Sequence, residues 1–424
     1  SRGIIILVSG VQVPPPLPTL LFNKMYSIVK DFREIKNVKP LSVVSAGHGV
    51  THWVNGIFIV LLPFIAQDLS LNYTTAGSMV TIFFIAAVAV TIISGPVIDI
   101  SKKYILAQFL CLMSGALALL LMSSASTTLM VAISAVFVGI CVSGWHTPSI
   151  PYLSLLYRKN RGLALSIHTV GASLGDGIAP PIAGLIMLVL SWQQTSLLLS
   201  VPVALMSFYI LRSLPQISSD EDSEDSSSNK YNYWEGLKGL LANKDMLILC
   251  VLAGLWSMTQ NGLVVFIPLY LVGEMQSGPV LVGFALFSIQ AGAVFGGPII
   301  GTLSDRVGRR PVVIYSLIIS AIILIIIPQI DNVYLFILMA SFAGCSLYSI
   351  RPVIHSWTMD ISAGQTSGSA ISMLFTAQAA LTGLIPIIGG LTADIFGLKL
   401  VFVLLTLTSI LALILSFIMP KRTI

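Results

Sequence analysis

The residues of this chain that can do chemistry are few, and they lie inside long apolar stretches. Asp176 stands in a stretch rich in glycine and proline, and His168 precedes it by eight residues. An ionisable group at membrane depth is costly and generally belongs to a substrate or ion pathway. Two helical turns separate the two residues, which places them near one face. We predict that Asp176 binds substrate or couples protons, with His168 as a relay; the alternative is a structural carboxylate bonded to neighbouring helices.

A second set of polar side chains follows one stripe of the first apolar stretch. His48, His52 and Asn55 are spaced at i, i+4 and i+7, which puts them on one face of a helix. This face is a candidate lining of a cavity, and helix packing is the alternative. The two histidines have the spacing of metal ligands, but the spacing reveals no third ligand. We therefore predict no metal site and no cofactor.

Arg351 lies inside a later apolar stretch, towards its cytoplasmic end. Its charge can bind an anionic substrate, pair with Asp176 or reach back to the cytoplasm. Further candidates for the cavity lining are Trp145, His146, Thr147, Trp256, Gln260 and Asn261. Asp68, Glu274 and Asp394 fall at outer ends of the stretches, where we expect ordinary solvated carboxylates.

The elements that must hold these residues are transmembrane helices. Of 424 residues, 56% are hydrophobic and 9% are charged, whereas a soluble protein has about 25% charged residues. Twelve apolar stretches are long enough to cross a bilayer, and a backbone in lipid must be helical to satisfy its own hydrogen bonds. We call these stretches spans. Their approximate centres are Phe58, Phe84, Met113, Val138, Ala172, Pro202, Met258, Gln290, Ile319, Ala343, Ala380 and Leu407.

The chain repeats its own pattern at an offset of 206 residues, because Asn55-Gly56 recurs as Asn261-Gly262. The other matched pairs are Gly95 with Gly301, Asp99 with Asp305, Gly162 with Gly368, Pro180 with Pro386, and Gly184 with Gly390. A constant offset over several spans indicates a duplicated bundle, and such a repeat places a pathway between its two halves. We therefore predict an all-α membrane protein with twelve transmembrane helices in two six-helix pseudo-repeats.

The placement of basic residues orients the bundle and divides the chain. They collect in loops on one side, which by the positive-inside rule puts both termini and the central loop in the cytoplasm. The net charge of +5 thus reflects topology, and we expect no nucleic-acid partner. We predict a cytoplasmic extension at 1–40, a first bundle at 41–213, a linker at 214–243 and a second bundle at 244–420. The linker is acidic and serine-rich, which predicts disorder before a short helix on the membrane surface. Met25 is a candidate native start.

The loop between the eighth and ninth spans carries the most specific string in the chain. It reads Gly301-Thr302-Leu303-Ser304-Asp305-Arg306-Val307-Gly308-Arg309-Arg310. Its glycines permit a tight turn, its aspartate can cap a helix end, and its arginines can pair with carboxylates and hold one conformation closed. The string resembles the loop motif of the major facilitator superfamily, and the resemblance covers roughly residues 41–420.

The first half holds a reduced copy of this loop, which keeps Gly95, Asp99 and a basic pair but lacks the following arginine and the second glycine. The residues that we predict to form the gating loops are Gly95, Asp99, Gly301, Asp305, Arg306, Gly308, Arg309 and Arg310. The fifth span, from Gly162 to Gly184, resembles the fifth-span motif of antiporters, although the usual Gly-Pro pair is Ala179-Pro180 here. With the stretch at 145–148, it is similar to the prokaryotic fosmidomycin-resistance-like branch.

The resemblance implies a secondary active transporter of a small organic solute that works by rocker-switch alternating access. We predict proton-coupled export of a drug-like or anionic metabolite. The alternative is an uptake symporter or facilitator for a small organic anion, with Arg351 as its counter-charge. A non-transporting receptor or scaffold is a remote alternative. A membrane enzyme is disfavoured, because no metal cluster is evident from the spacing. The expected partners are the substrate, protons and the lipid bilayer, and we expect a monomer in the plasma membrane.

Overall fold

The structure is a computed structural model that describes residues 37–216, 239–362 and 367–419. Within these ranges the chain is almost entirely helical and has no β-strand. The prediction of Met25 as a native start and the predicted disorder of the acidic linker lie outside the described residues, as does most of the predicted surface helix. All twelve predicted span centres fall inside helices, and the all-α fold is confirmed.

The N-terminal half consists of seven α-helices that form six spans. They are α1 (Val38–Asp68), α2 (Tyr73–Ser101), α3 (Tyr104–Ser123), α4 (Thr128–Gly144), α5 (His146–Leu156), α6 (Arg161–Ile186) and α7 (Trp192–Ser213). The fourth span contains both α4 and α5. A 3-10 turn at Arg158–Asn160 leads from α5 into α6.

The C-terminal half repeats this order. Its helices are α8 (Lys244–Gly273), α9 (Pro279–Val307), α10 (Arg309–Ile326), α11 (Val333–Tyr348), α12 (Arg351–Ser362), α13 (Ser367–Thr382), α14 (Ile385–Phe396) and α15 (Leu398–Ile418). The tenth span is divided between α11 and α12, and the eleventh between α13 and α14.

Eleven of the spans are long and apolar enough to cross a membrane by length and composition. The twelfth is α6, whose 26 residues would also reach across a bilayer. Its lower hydropathy follows from its glycines and from the two ionisable residues His168 and Asp176. The least apolar span is therefore the one that carries the intramembrane carboxylate.

The fourth and tenth spans are interrupted at equivalent points. Trp145 separates α4 from α5, and a short turn separates α11 from α12. Pro148 and Pro352 stand in the first turn of the second segment, where the missing N–H costs no helical hydrogen bond, yet neither can continue the preceding helix. These interruptions place His146 and Arg351 at the first position of the new segments.

Helices α1 and α6 touch backbone to backbone because glycines stand at their contact. A Cβ added at Gly171 would lie 2.0 Å from the carbonyl oxygen of Ser45, and one added at Gly175 would lie 2.0 Å from that of Gly49. No side chain fits in either place, so only small residues allow this approach. The contact brings the polar stripe of α1 against the polar side chains of α6.

The two halves meet at their outer ends, where α2 packs on α14 and α6 packs on α9. A Cβ added at Gly77 would lie 2.0 Å from the carbonyl oxygen of Pro386, and one added at Gly184 would lie 2.4 Å from that of Pro279. At the opposite ends of α2 and α9, a Cβ added at Gly95 or Gly301 would meet nothing within 4 Å. The interface between the halves is therefore closed on the outer side and loose towards the predicted cytoplasmic side.

Asp394, at the end of α14, joins the two halves at this outer contact. Its Oδ1 accepts a hydrogen bond from the Tyr73 backbone N–H at 2.8 Å, and its Oδ2 accepts from the backbone N–H and the hydroxyl of Thr74 at 2.9 and 2.6 Å. The carboxylate thus caps the N-terminus of α2, where unpaired N–H groups and the helix dipole favour an anion. Asp394 is exposed at an outer span end, as predicted, but its bonds to the other half were not predicted.

Asp68 is likewise exposed at an outer end and makes hydrogen bonds that the sequence did not predict. Its Oδ2 accepts hydrogen bonds from the Trp192 indole at 3.0 Å and from the Gln193 amide at 3.1 Å. Both donors belong to α7 of the same half. Asp68 therefore fastens the outer end of α1 to α7 and makes no bond across the interface between the halves among the described residues.

The predicted gating loop of the C-terminal half makes its polar contacts within that half. Arg309 donates to Asp305 at 2.5 Å and to Asp360 at 3.4 Å, while Arg310 donates to the carbonyl oxygens of Ser416 and Phe417 at 3.0 and 2.5 Å. Gly308 has φ of +92°, the conformation that the tight turn needs. The arginine–carboxylate pairs are therefore present, and in this conformation they join α10 to α9 and α12, while Arg310 joins α10 to α15.

Candidate functional site

Four of the five histidines of the chain converge where α1, α5 and α6 meet. His48 lies in the middle of the group, which we call the histidine cluster. Its ring stacks on that of His168 with 4.0 Å between centroids, and it meets the rings of His52 and His146 edge-on at 4.9 Å. Residues from three different spans thus form one group of imidazoles.

Hydrogen bonds assign the ring nitrogens of two of these histidines. Nδ1 of His48 lies 2.8 Å from the carbonyl oxygen of His168, and because a carbonyl only accepts, Nδ1 must carry the proton. The indole N–H of Trp145 donates to Nε2 of His168 at 3.1 Å, so that Nε2 is unprotonated. The ring of His168 is held by Trp145 on one side and by the stacked ring of His48 on the other.

Asp176 is fastened to α1 by two residues of the predicted stripe. Its Oδ2 lies 2.8 Å from Nδ1 of His52, and its Oδ1 accepts from the Asn55 amide at 3.4 Å. The side chains of His52 and Asp176 keep 20% and 21% of their surface exposed, so the pair is accessible at the edge of the buried cluster. His168 makes no hydrogen bond with Asp176 in the described structure, and the rings of His48 and His52 link the two residues by contact.

The centre of the histidine cluster contains a polar atom without a partner. His48 is 4% exposed, and its Nε2 has no hydrogen-bond partner among the described residues. One ring nitrogen from each of His48, His52 and His146 lies within 4.8 Å of the others. His146 is therefore the third imidazole that sequence spacing did not reveal, because it comes from another span.

The C-terminal half contributes a cation and amide groups. Arg351 is exposed, and its guanidinium carbon lies 5.5 Å from the ring centroid of Tyr348, within the range of a cation–π contact. Arg351 and Asp176 form no ion pair in the described part of the chain. The Asn261 amide donates to the Ser257 carbonyl oxygen at 2.9 Å. Sequence reasoning missed Tyr348, although it precedes Arg351 by one helical turn.

Two predicted lining residues are packing residues instead. Trp145 and Trp256 are 0% and 1% exposed, and the indole of Trp256 donates to the Leu347 carbonyl oxygen at 2.8 Å. An indole is large and apolar with one donor, so it is stable in a core when that donor is satisfied. Both tryptophans therefore support the site from behind, as does buried Gln260, which is 1% exposed.

Thr147 is partly buried, and its hydroxyl lies 2.8 Å from that of Ser94 on α2.

In the first gating loop, Asp99 is exposed. In the second, the side chain of Arg306 is also exposed. The structure therefore brings together the predicted residues of α1, α5 and α6, while the gating loops stand apart from them at the inner ends.

The eleven long apolar helices and the two six-span halves support an integral multi-pass membrane protein. The family model described as Major Facilitator Superfamily matches residues 44–296 and again residues 258–423. The chain belongs to the major facilitator superfamily. No curated protein matches this sequence.

Solved structures of transporters share this fold. A bacterial homolog of the human lysosomal transporter Spinster, in an inward-facing and unoccupied conformation, superposes with a TM-score of 0.77 at 15% identity, over 89% of this chain and 96% of that one. Its inward-facing and occupied form gives a TM-score of 0.74 at 14% identity, with the same coverage. A mutant of the nucleoside transporter NupG gives 0.76 at 16% identity, over 91% of this chain and 100% of that one. These identities support the fold alone, and the fosmidomycin-resistance-like branch stays a prediction.

Proposed function

We propose that this protein is a proton-coupled secondary active transporter of a small organic solute that works by rocker-switch alternating access. The observation that carries the proposal is the asymmetric closure of the interface between the halves. The halves pack backbone to backbone at Gly77 and Gly184 on the outer side, whereas a Cβ added at Gly95 or Gly301 on the inner side would meet nothing within 4 Å. Rocking one half against the other would exchange the closed and open ends.

The side chains of the two halves supply what a solute needs at such an interface. The N-terminal half offers the His52–Asp176 pair, and the C-terminal half offers the exposed guanidinium of Arg351. A carboxylate hydrogen-bonded to an imidazole at membrane depth is suited to exchanging a proton with a pathway. An exposed arginine beside an aromatic ring is suited to a planar anion. We therefore favour an anionic or drug-like organic solute.

We favour export as the direction of transport. The fifth span resembles the antiporter motif, and the chain is similar to the fosmidomycin-resistance-like branch. The specific observation behind the alternative, uptake of a small organic anion such as a carboxylate, is Arg351, which lacks a carboxylate partner among the described residues. The plasma membrane is the location, and the monomer the state, that we propose for this activity. The transporter titles of the similar structures support the class of function and not the solute.

The test is proton movement in sealed proteoliposomes that contain a pH-sensitive dye. A panel of organic anions and lipophilic cations is added outside to the wild-type protein, to Asp176→Asn and to Asp331→Asn. Asp331 is an exposed carboxylate in an outer loop and serves as the matched control. We expect one solute class to move protons with wild type and Asp331→Asn, and not with Asp176→Asn.

Solute entry without a dye response, equal in wild type and Asp176→Asn, would refute proton coupling. The protein would then be a facilitator or use another ion. Failure of every solute to enter, with protein that is monodisperse and folded, would favour the non-transporting receptor or scaffold.

A further inference from the structure

We propose that the histidine cluster binds a divalent transition-metal ion, with His48, His52 and His146 as its ligands. Zn²⁺ is the ion to which we assign the site, because neutral imidazole is a preferred ligand of zinc. This inference goes beyond the transport of an organic solute and concerns a site inside the N-terminal half. It rests on the geometry of the imidazoles, on an unpaired nitrogen and on the carboxylate behind one ligand.

The three rings already bring one nitrogen each close to the others. One ring nitrogen from each of the three lies within 4.8 Å of the others. Around a tetrahedral zinc with Zn–N distances of about 2.0–2.1 Å, the nitrogens are roughly 3.4 Å apart. His48 and His52 stand on one face of α1, and His146 begins α5 beside the helix break. Small side-chain rotations therefore close the remaining gap.

The central ligand has a lone pair that nothing else uses. Nδ1 of His48 donates to the His168 carbonyl oxygen, so in the neutral ring Nε2 carries the lone pair. This atom is buried and has no partner among the described residues, in a side chain that is 96% enclosed. A buried polar atom without a partner costs free energy, and coordination to a metal removes that cost.

The second ligand has the support that zinc-binding histidines commonly have. A metal-ligating imidazole usually donates its other N–H to a carboxylate or carbonyl, which fixes the ring and raises its basicity. Nδ1 of His52 lies 2.8 Å from Oδ2 of Asp176, and Nδ1 of His48 lies 2.8 Å from the carbonyl oxygen of His168. Both rings are thus oriented with Nε2 available for a metal.

The site has three protein ligands and an accessible edge. His52 and Asp176 are partly exposed, while His48 is buried. Three protein ligands with an open fourth position are typical of zinc that binds water or a substrate, whereas structural zinc has four protein ligands. We therefore expect a zinc ion that enters from the interface between the halves and exchanges, rather than one locked into the fold.

Zinc binding is measured on the purified full-length protein in detergent, isolated without a polyhistidine tag and stripped with a chelator. Isothermal titration with Zn²⁺ gives stoichiometry and affinity, and Co²⁺ titration gives a visible absorption band that reports nitrogen ligands. We expect one ion per chain. His48→Asn and His52→Asn should each weaken Zn²⁺ binding by more than about 100-fold. Asp176→Asn should weaken it by about 10- to 100-fold, the range for residues that hydrogen-bond to a metal ligand.

The chain contains its own matched control. His355 is the histidine outside the cluster, it lies in α12 of the other half, and its Nε2 is likewise buried without a partner among the described residues. His355→Asn should therefore bind zinc as wild type does. Equal affinity of His48→Asn and His355→Asn would overturn the proposal, and so would wild type that takes up no ion.

The unmutated protein keeps the test decisive if a variant fails to fold. Wild type that gives no Co²⁺ band, or takes up less than one Zn²⁺ per chain at saturation, contradicts the site without any substitution. The measurement uses no solute and no gradient. A protein that transports protons but binds no zinc would refute this inference alone, and one that binds zinc but moves no protons would refute the proposed coupling alone.

Discussion

The two halves of the molecule pack their first and fifth spans in opposite ways at the same point. In the N-terminal half, Gly175 on α6 meets the backbone of Gly49 on α1, which directly follows His48. At an offset of 206 residues, the C-terminal half has Gly254 on α8 and Leu381 on α13. A Cβ added at Gly254 would lie 2.3 Å from Cδ1 of Leu381. One half therefore brings two backbones together and leaves imidazoles beside them, while the other fills the contact with a leucine.

The two halves also differ in their ionisable groups, which stand at these positions in the N-terminal half and not in the C-terminal half. The positions equivalent to His52 and Asp176 are Met258 and Thr382, and Thr382 donates to the Ser257 hydroxyl at 2.8 Å. A buried hydroxyl pair needs no counter-charge, whereas a carboxylate does. The equivalent helices thus pack against each other in both halves, but the His52–Asp176 pair is found only in the first.

The largest effect should come from breaking the backbone contact of the N-terminal half. In Gly175→Ala the new methyl group would lie 2.0 Å from the Gly49 carbonyl oxygen, so α1 and α6 must move apart. Overpacking of this kind typically costs about 1–3 kcal/mol of unfolding free energy. Gly162→Ala is the matched control on the same helix, because its Cβ meets nothing within 4 Å.

Denaturant unfolding of both variants in detergent measures this difference. We expect Gly175→Ala to unfold at a clearly lower denaturant concentration than wild type and to lose the hydrogen bond between His52 and Asp176. Gly162→Ala should unfold at or above the wild-type midpoint. Equal midpoints for the two variants would mean that the α1–α6 contact is looser than the structure gives it.

A smaller effect should come from the outer contact between the halves. Asp394→Asn removes the charge that caps α2 through Tyr73 and Thr74. Because the carboxylate is exposed, its loss should cost about 1 kcal/mol, which is roughly a fivefold shift towards a conformation open on the outer side. Asp68→Asn is the control, since Asp68 bonds only within its own half in the described structure.

Spin labels at Ser124→Cys and Gln276→Cys measure this shift, because both positions are exposed in outer loops of different halves. The distance distribution should gain a longer component with Asp394→Asn and remain unchanged with Asp68→Asn. An identical distribution in all three proteins would show that the Asp394 cap does not hold the outer contact.

Much of the fold was predictable from one sequence, and the reason is physical. Lipid forces every span to be helical, and the constant offset of Asn55-Gly56 and Asn261-Gly262 reveals the duplication. The site was predictable only along single helices, such as the stripe from His48 to Asn55. Joining His146 to that stripe depends on how α5 crosses α1, and the bond from Asp394 to α2 spans the two halves. Neither contact leaves a spacing in the sequence.

The smallest expected effect comes from substituting Trp145 or Trp256, a buried tryptophan in each half. Trp145→Phe leaves Nε2 of His168 without its donor, and Trp256→Phe leaves the Leu347 carbonyl oxygen without its donor. Each orphaned acceptor is buried, so each variant should lose about 1 kcal/mol of unfolding free energy. The readout that separates them is zinc affinity.

Only Trp145→Phe frees the ring that stacks on His48, so it should weaken zinc binding several-fold, whereas Trp256→Phe should leave it unchanged. If both variants lost stability and neither changed zinc affinity, the tryptophans would be equivalent packing residues. The two halves would then differ in their imidazoles but not in the role of the tryptophan that packs behind the site.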